Sequence, residues 1–89
     1  MANQLLCQLD STDPDTLVSA LMADSEDQSN AGLSRLQMWR DADQAGRVWI
    51  LFDVHDRAKA EDWLQRAVAD THGRRAGVTS SAAHFLRTA

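Results

Sequence analysis

Residues 33–55 have the sequence LSRLQMWRDADQAGRVWILFDVH. Both ends of this stretch, Leu33–Arg40 and Arg47–His55, are strand-like runs whose successive side chains would point to opposite faces of a sheet. The residues between them are polar and end at Gly46, which tolerates the positive φ that hairpin turns use. The stretch therefore predicts a β-hairpin with its turn centred on residues 43–45.

The alternation also predicts how the two strands pair. Placing Trp39 opposite Trp49 puts every side chain on a sensible face of the sheet. In that register the other opposed pairs are Gln37 with Leu51 and Arg35 with Asp53. The last pair is then an expected ion pair across the strands.

The hairpin lies between two helical patterns, and a strand-like run stands near each end of the chain. Gln4–Leu9 is short and apolar-rich, and Ala82–Arg87 is the last such run, within residues 78–88. The element order β-α-β-β-α-β predicts an α+β fold, a four-stranded antiparallel sheet with two helices on one face. With 89 residues, we expect one domain spanning positions 1–89.

The first helix has a strong start signal, because Asp13 precedes Pro14. An aspartate caps free N–H groups, and proline suits the first helical position, where no donor is needed. The apolar stripe of this helix is expected to be Leu17, Leu21 and either Val18 or Met22. Residues 24–30 are polar and acidic, so we expect a frayed end or a solvated loop that ends at Gly32.

The second helix is expected to begin at Asp56 and to end at His72-Gly73, a histidine followed by a glycine suited to a C-cap. Its predicted apolar stripe consists of Ala60, Trp63, Leu64, Ala67 and Val68.

Composition limits the possible functions. The formal net charge of −4 and the lack of a basic stripe argue against nucleic-acid binding. The chain has no apolar run of the roughly 20 residues that span a bilayer. Cys7 is the only cysteine, so no internal disulfide forms, and we expect a buried, reduced thiol in a cytoplasmic protein. Neither a cofactor nor a metal site is expected.

Strand alternation divides the sheet residues between two faces. The face expected toward the helices carries Leu5, Cys7, Leu9, Leu36, Met38, Val48, Ile50, Phe52, Val54 and Phe85. The opposite face carries Gln4, Leu6, Gln8, Gln37, Trp39, Trp49, Leu51, His84 and Leu86. Two tryptophans and three leucines make this second face too apolar for a comfortable monomer. A second copy, a partner protein or an open ligand groove would explain it, and we favour the second copy.

Few residues suggest chemistry. Asp53 and His55 point the same way along a strand, but a third metal ligand has no evident source. His84 is the candidate for acid–base chemistry, since histidine titrates near neutral pH, and a hydrogen-bonded structural histidine is the alternative. The sequence shows no glycine-rich phosphate loop, nucleophile elbow or Ser/His/Asp arrangement.

In element order and in its amphipathic sheet face, nearly the whole chain resembles the dimeric α/β-barrel superfamily of small ferredoxin-like proteins. That group includes antibiotic-biosynthesis-type monooxygenases, muconolactone-isomerase-like enzymes and stress-responsive barrel proteins. The resemblance implies a homodimer whose two sheets enclose a cavity, and it implies that a site would lie there.

Two functions remain open on this reading, and so does the question whether the chain is an enzyme. The first is a binding module for a small, partly aromatic molecule. The second is a cofactor-free monooxygenase or isomerase that uses His84 as a proton shuttle. The residues expected to line either site are Gln37, Trp39, Trp49, Leu51 and His84.

Overall fold

The structure, a computed structural model, describes residues 3–69 and 77–89 of the chain. Its elements are β1 (Asn3–Ser11), α1 (Pro14–Ala23), α2 (Ser25–Asn30), β2 (Leu33–Arg40), β3 (Arg47–Val54), α3 (Arg57–Ala69) and β4 (Val78–Arg87). The strands form one antiparallel sheet in the order β2-β3-β1-β4. This confirms the predicted ferredoxin-like arrangement, with the short helix α2 added.

The start of α1 is held as its sequence predicts. Thr16 N donates to Asp13 Oδ1 over 3.2 Å and Thr16 Oγ1 donates to Asp13 Oδ2 over 2.6 Å, while Pro14 opens the helix. Leu17 and Leu21 are buried. Val18 completes the stripe by packing against them.

The acidic segment expected to be a frayed end or a loop is instead the helix α2. Gln28 explains this difference, because its side chain is 1% exposed and its Nε2 donates to the Leu21 carbonyl oxygen over 3.0 Å. That bond covers a carbonyl which the end of α1 leaves without a helical partner. Glu26 and Asp27 lie in the first turn of the new helix, where the helix dipole favours carboxylates.

The hairpin register is confirmed near its turn and wrong near its open end. Trp39 lies opposite Trp49, and Gln37 lies opposite Leu51. Beyond them the register shifts, so that Arg35 lies opposite Phe52 and the predicted Arg35–Asp53 ion pair does not form.

A bulge at Leu36 causes this shift. Leu36 is the extra residue between Arg35 and Gln37, and it is 51% exposed rather than part of the core. Because the extra residue changes which face the preceding side chains of β2 take, Leu33 pairs with Val54 and is buried at 2% exposure. Burial of Leu33 offsets the exposure of Leu36.

The core lies between the sheet and the helices. Its buried apolar side chains are Leu5, Cys7, Leu17, Leu21, Ala31, Leu33, Val48, Ile50, Phe52, Val54 and Ala60. These residues form two clusters, one packed under α1 and the other under α3, and Leu9 and Met38 pack against both clusters.

Burial raises the pKa of the Cys7 thiol to about 12, so the thiol is protonated and unreactive at neutral pH.

Helix α3 begins as predicted, with Lys59 N donating to Asp56 Oδ1 over 3.2 Å. Ala60 is buried, Trp63 and Leu64 are partly buried, and the Trp63 ring meets Phe52 edge-on at 5.7 Å between centroids. The side chains of Ala67 and Val68, and the predicted helix end at His72-Gly73, lie outside the described residues.

Gly46 connects the hairpin turn to the end of β1. It has φ +91°, and its carbonyl oxygen accepts a hydrogen bond from Ser11 N over 2.8 Å. A Cβ atom at this position would lie 2.4 Å from the Ser11 carbonyl oxygen. Both the conformation and the close backbone approach therefore require glycine here.

Candidate functional site

One sheet face is covered by no helix of residues 3–69 and 77–89, and we call it the uncovered face. Its side chains form rows that run across the strands. Read from β2 through β3 and β1 to β4, one central row is Trp39, Trp49, Gln8 and Ala82, and the next is Gln37, Leu51, Leu6 and His84. These central rows consist of apolar side chains, amides and one histidine. Among the described strand residues, the charged side chains of this face lie at its two ends.

The structure brings four of the five predicted site residues together and places the fifth apart. Trp39, Trp49, Gln37 and Leu51 are neighbours on β2 and β3. His84 lies on β4, two strands away from Leu51, with Leu6 between them. From strand spacings, the backbone positions of Trp49 and His84 are roughly 12 Å apart. The tryptophans and the histidine therefore lie on either side of the centre of the face.

The His84 side chain is exposed and makes no hydrogen bond within residues 3–69 and 77–89. The facing of the last strand is as expected, because His84 and Leu86 lie opposite Leu6 and Gln4 of β1 on the uncovered face. Phe85 lies opposite the buried Leu5 and packs on the core.

The Trp49 side chain is partly buried, and Asp41 holds its indole. Trp49 Nε1 donates to Asp41 Oδ2 over 2.8 Å, while Asp41 Oδ1 accepts from Asp43 N at 2.9 Å and Gln44 N at 3.0 Å. These bonds, the indole bond first, lower the pKa of Asp41. By contrast, Trp39 is 43% exposed, and its indole has no hydrogen-bond partner in the described part of the chain.

A second polar group lies at the same end of the face. Arg47 Nε donates to Asp10 Oδ1 over 2.8 Å, and Ser80 Oγ donates to Asp10 Oδ2 over 2.8 Å. The Arg47 guanidinium, followed by the Ser80 hydroxyl, lowers the pKa of Asp10, and the Asp10 carboxylate raises the pKa of Arg47. Because Asp10 occupies its guanidinium, Arg47 is not a free cation for an anionic ligand.

The other end of the face contains Asp53 and His55, which the sequence pattern connects, together with Ser34, which it does not. His55 Nε2 lies 2.9 Å from Ser34 Oγ and 3.9 Å from Asp53 Oδ2. Both partners face the same ring nitrogen, whereas the carboxylate of a hydrolytic triad orients the histidine through its other nitrogen. This exposed group therefore lacks the arrangement that activates a serine nucleophile.

The described residues contain no group of three or more histidine, cysteine, aspartate or glutamate side chains arranged to hold a metal ion. Asp53 and His55 approach one another, as their spacing predicts, without a third such ligand among these residues. No helix within the described ranges is long and apolar enough to cross a membrane.

Similarity to solved structures extends over the whole fold. The protein PA3566 from Pseudomonas aeruginosa aligns with a TM-score of 0.70 at 16% identity, covering 99% of this chain and 95% of that protein. SnoaB, a cofactor-independent oxygenase from Streptomyces nogalater, aligns with a TM-score of 0.67 at 14% identity, covering 98% of this chain and 92% of that protein. A dimeric ferredoxin-like protein from an uncultured marine organism aligns with a TM-score of 0.64 at 12% identity, covering 99% of this chain and 97% of that protein.

The chain has the same ferredoxin-like fold as these proteins. At these identities the similarity concerns the fold, in agreement with the resemblance that the element order indicates. No protein-family model and no curated protein matches the sequence. Within this fold, the chemistry of the uncovered face depends on its own side chains.

Asp41, Asp10 and Arg47 were missed as parts of this face, although signals for two of them exist. Asp10 lies two residues after Gln8, and Arg47 lies two residues before Trp49. Strand alternation therefore places both side chains on the uncovered face. Asp41 lies just after β2. Its contact with Trp49 depends on how the turn folds back, which alternation along a strand does not describe.

Acid should destabilise the folded protein through the carboxylates of these hydrogen-bonded groups. The pKa values of Asp10, Asp13 and Asp41 are lowered on folding, so their stabilising contributions are present above the unfolded pKa and are lost as the pH falls through the folded one. We expect the melting temperature to decrease once the pH is lowered beyond about 4. Thermal unfolding from pH 7 to pH 2 measures this, and Asp10→Asn should reduce the fall more than Asp43→Asn. A melting temperature that stays constant to pH 2 would contradict it.

Proposed function

We propose that the chain is a homodimeric module that holds a small, partly aromatic molecule between its two sheets. The observation that carries this proposal is the uncovered face, where Trp39 is 43% exposed, Leu86 is 40% exposed, and Trp49, Leu51 and Leu6 are only partly buried. The helices of the chain pack on the other side of the sheet. An apolar face of this kind is typical of an interaction surface.

A second copy suits this face in both size and charge. Four strands of eight to ten residues present an area of roughly 30 Å by 20 Å, which approaches the 800 Å² per partner typical of stable interfaces. In a two-fold dimer the same surface meets itself, so central charges would repel their own copies. Apart from His84, the central rows carry no ionisable side chain, and the Arg47 charge at one end is paired with Asp10. Similar solved proteins described as dimeric support the same assembly.

The side chains of the central rows favour a neutral ligand. Two indoles offer flat apolar surfaces for stacking, while Gln8 and Gln37 offer amide groups that donate and accept hydrogen bonds. Neither central row contains a free cation for a carboxylate or phosphate. A planar molecule that carries carbonyl or hydroxyl oxygens fits this combination.

A thermal-shift screen of quinones, small aromatic acids and neutral aromatic ketones tests the ligand half of the proposal. A ligand that binds only the folded state stabilises it by about 2.7 kcal/mol at 100 times its Kd. Neutral compounds should raise the melting temperature more than acids. The ligand proposal fails if no compound in a broad screen shifts the melting temperature.

A cofactor-free monooxygenase or isomerase acting on the same face is the second candidate. It is supported by the similarity in fold to SnoaB and by the exposed His84, which could accept a proton from a bound phenol or activated C–H group. Incubating each ligand that binds with the protein, under air and under argon, separates the possibilities. Oxygen-dependent mass gain indicates a monooxygenase, a product of unchanged mass indicates an isomerase, and unaltered ligand indicates a binding module.

His84→Ala should weaken ligand binding and leave the fold intact. Because His84 is exposed and has no hydrogen-bond partner in the described residues, its loss should change the free energy of unfolding by no more than about 0.5 kcal/mol. The melting temperature and the Kd of one screened ligand should be measured on the same variant. A clear loss of stability with unchanged binding would make His84 a scaffold residue instead.

A further inference from the structure

The orientation of Trp49 depends on a residue outside the strands. Asp41 uses its two carboxylate oxygens for separate purposes: Oδ1 accepts the turn amides of Asp43 and Gln44, and Oδ2 accepts the Trp49 indole N–H at 2.8 Å. The backbone around it is also closed, since Asp41 N donates to the Arg47 carbonyl oxygen over 2.9 Å. The turn therefore fixes the position of the carboxylate, and the carboxylate fixes the position of the indole N–H.

We propose that Asp41 is the positioning residue of the uncovered face, holding the Trp49 ring in one orientation so that a planar ligand meets a preformed stacking surface. The inference rests on the proposed function for its ligand. With its N–H used by Asp41, Trp49 offers only its ring surface. The neighbouring Trp39 has the same ring with a free N–H group, as far as the described residues show.

Fixing an aromatic side chain before binding improves affinity, because its freedom is not lost when the ligand arrives. Immobilising a side chain on binding typically weakens affinity by roughly 3- to 10-fold. Releasing Trp49 from Asp41 should reduce the affinity for a planar ligand by that factor. The same release should leave the sheet and the core unchanged, because Asp41 contacts the turn and the indole.

Asp41→Asn separates the two tasks of the carboxylate. The Asn oxygen can still accept the turn amides, whereas its NH₂ group faces the indole N–H and cannot accept from it. Asp43→Asn is the matched control, since it removes the same charge from the same turn and the Asp43 side chain has no hydrogen bond in the described part of the structure. Trp49→Phe removes the same bond from the other side and leaves the turn unaltered.

The experiment combines an indole NMR measurement with binding of the neutral planar probe coumarin. The chain has three tryptophans, so its ¹H–¹⁵N spectrum contains three indole N–H signals, and Trp49→Phe assigns that of Trp49. Asp41→Asn should move that signal, speed its exchange with solvent and weaken coumarin binding about 3- to 10-fold. Asp43→Asn should do none of these. On the Trp49→Phe background, Asp41→Asn should have no further effect on coumarin binding.

An unmoved Trp49 signal in Asp41→Asn would overturn the proposal. So would a moved signal with the same coumarin affinity as Asp43→Asn. If the unaltered protein does not bind coumarin, the ligand half of the inference fails for this probe, and the indole signal still decides whether Asp41 fixes the ring. If Asp41→Asn does not fold, comparing Trp49→Phe with the unaltered protein decides the affinity effect, and equal coumarin affinities would overturn the proposal.

Discussion

Replacing Leu6 with arginine should convert a dimer into a monomer. Leu6 lies at the centre of the uncovered face, between Leu51 on β3 and His84 on β4. In a face-to-face dimer the substitution brings two guanidinium groups, one from each copy, into an apolar centre without a carboxylate among its row neighbours. Like charges placed together at an interface cost several kcal/mol. We therefore expect the dimer Kd to rise by at least about 100-fold.

Sedimentation equilibrium at micromolar concentration measures this effect. The unaltered protein should have twice the 9.9 kDa chain mass, and Leu6→Arg should have the mass of one chain. Met22→Arg is the matched control, because Met22 is 54% exposed on α1, away from the uncovered face. A Leu6→Arg variant that remains dimeric would place the interface elsewhere. A monomeric unaltered protein would rule out the barrel-type dimer.

Trp63→Ala should cause the largest loss of folding stability that we predict here, about 3–5 kcal/mol. Trp63 packs on the core from α3, and its ring meets Phe52 at 5.7 Å between centroids with an angle of 74° between the rings. Phe52 is fully buried, so removing the indole exposes one side of the core and loses the edge-to-face contact. Because Trp63 is itself only partly buried, the lower end of this range is expected.

Chemical denaturation measures this loss. All variants are compared at one protein concentration, because the apparent stability of a dimer depends on concentration. Gln65→Ala is the control on the same helix, because Gln65 is exposed, and it should change the free energy of unfolding by no more than about 0.5 kcal/mol. If Trp63→Ala costs less than about 1 kcal/mol, the contact between α3 and Phe52 does not stabilise the protein as described.

Local signals in the sequence predicted the parts of the fold that depend on neighbouring residues. Asp13 before Pro14 predicts the start of α1, and Asp56 predicts the start of α3, because a cap needs only groups within one helical turn. Strand alternation predicts which residues share a face, including His84 on β4. The pairing of Trp39 with Trp49 follows as well, since the turn between them is short.

Two errors share one cause, which is that the burial of a single side chain outweighed a local pattern. The segment after α1 is helical because Gln28 is buried and caps the Leu21 carbonyl oxygen, a contact that composition does not indicate. The bulge at Leu36 shifts the strand register, and in the shifted register the Leu33 side chain is buried in the core. In each case burial of one side chain offsets the unfavourable placement of others.

The sequence alone determined the element order, the sheet with its two faces, and the apolar character of the face opposite the helices. These properties follow from alternation, caps and turn residues, each of which acts over a few positions. The folded structure was needed to show that Asp41 holds Trp49, that Asp10 pairs with Arg47 and Ser80, and that His84 lies two strands away from Trp49. These relations depend on strand order and on how a turn folds back. Those features bring together side chains that no periodicity along the chain connects.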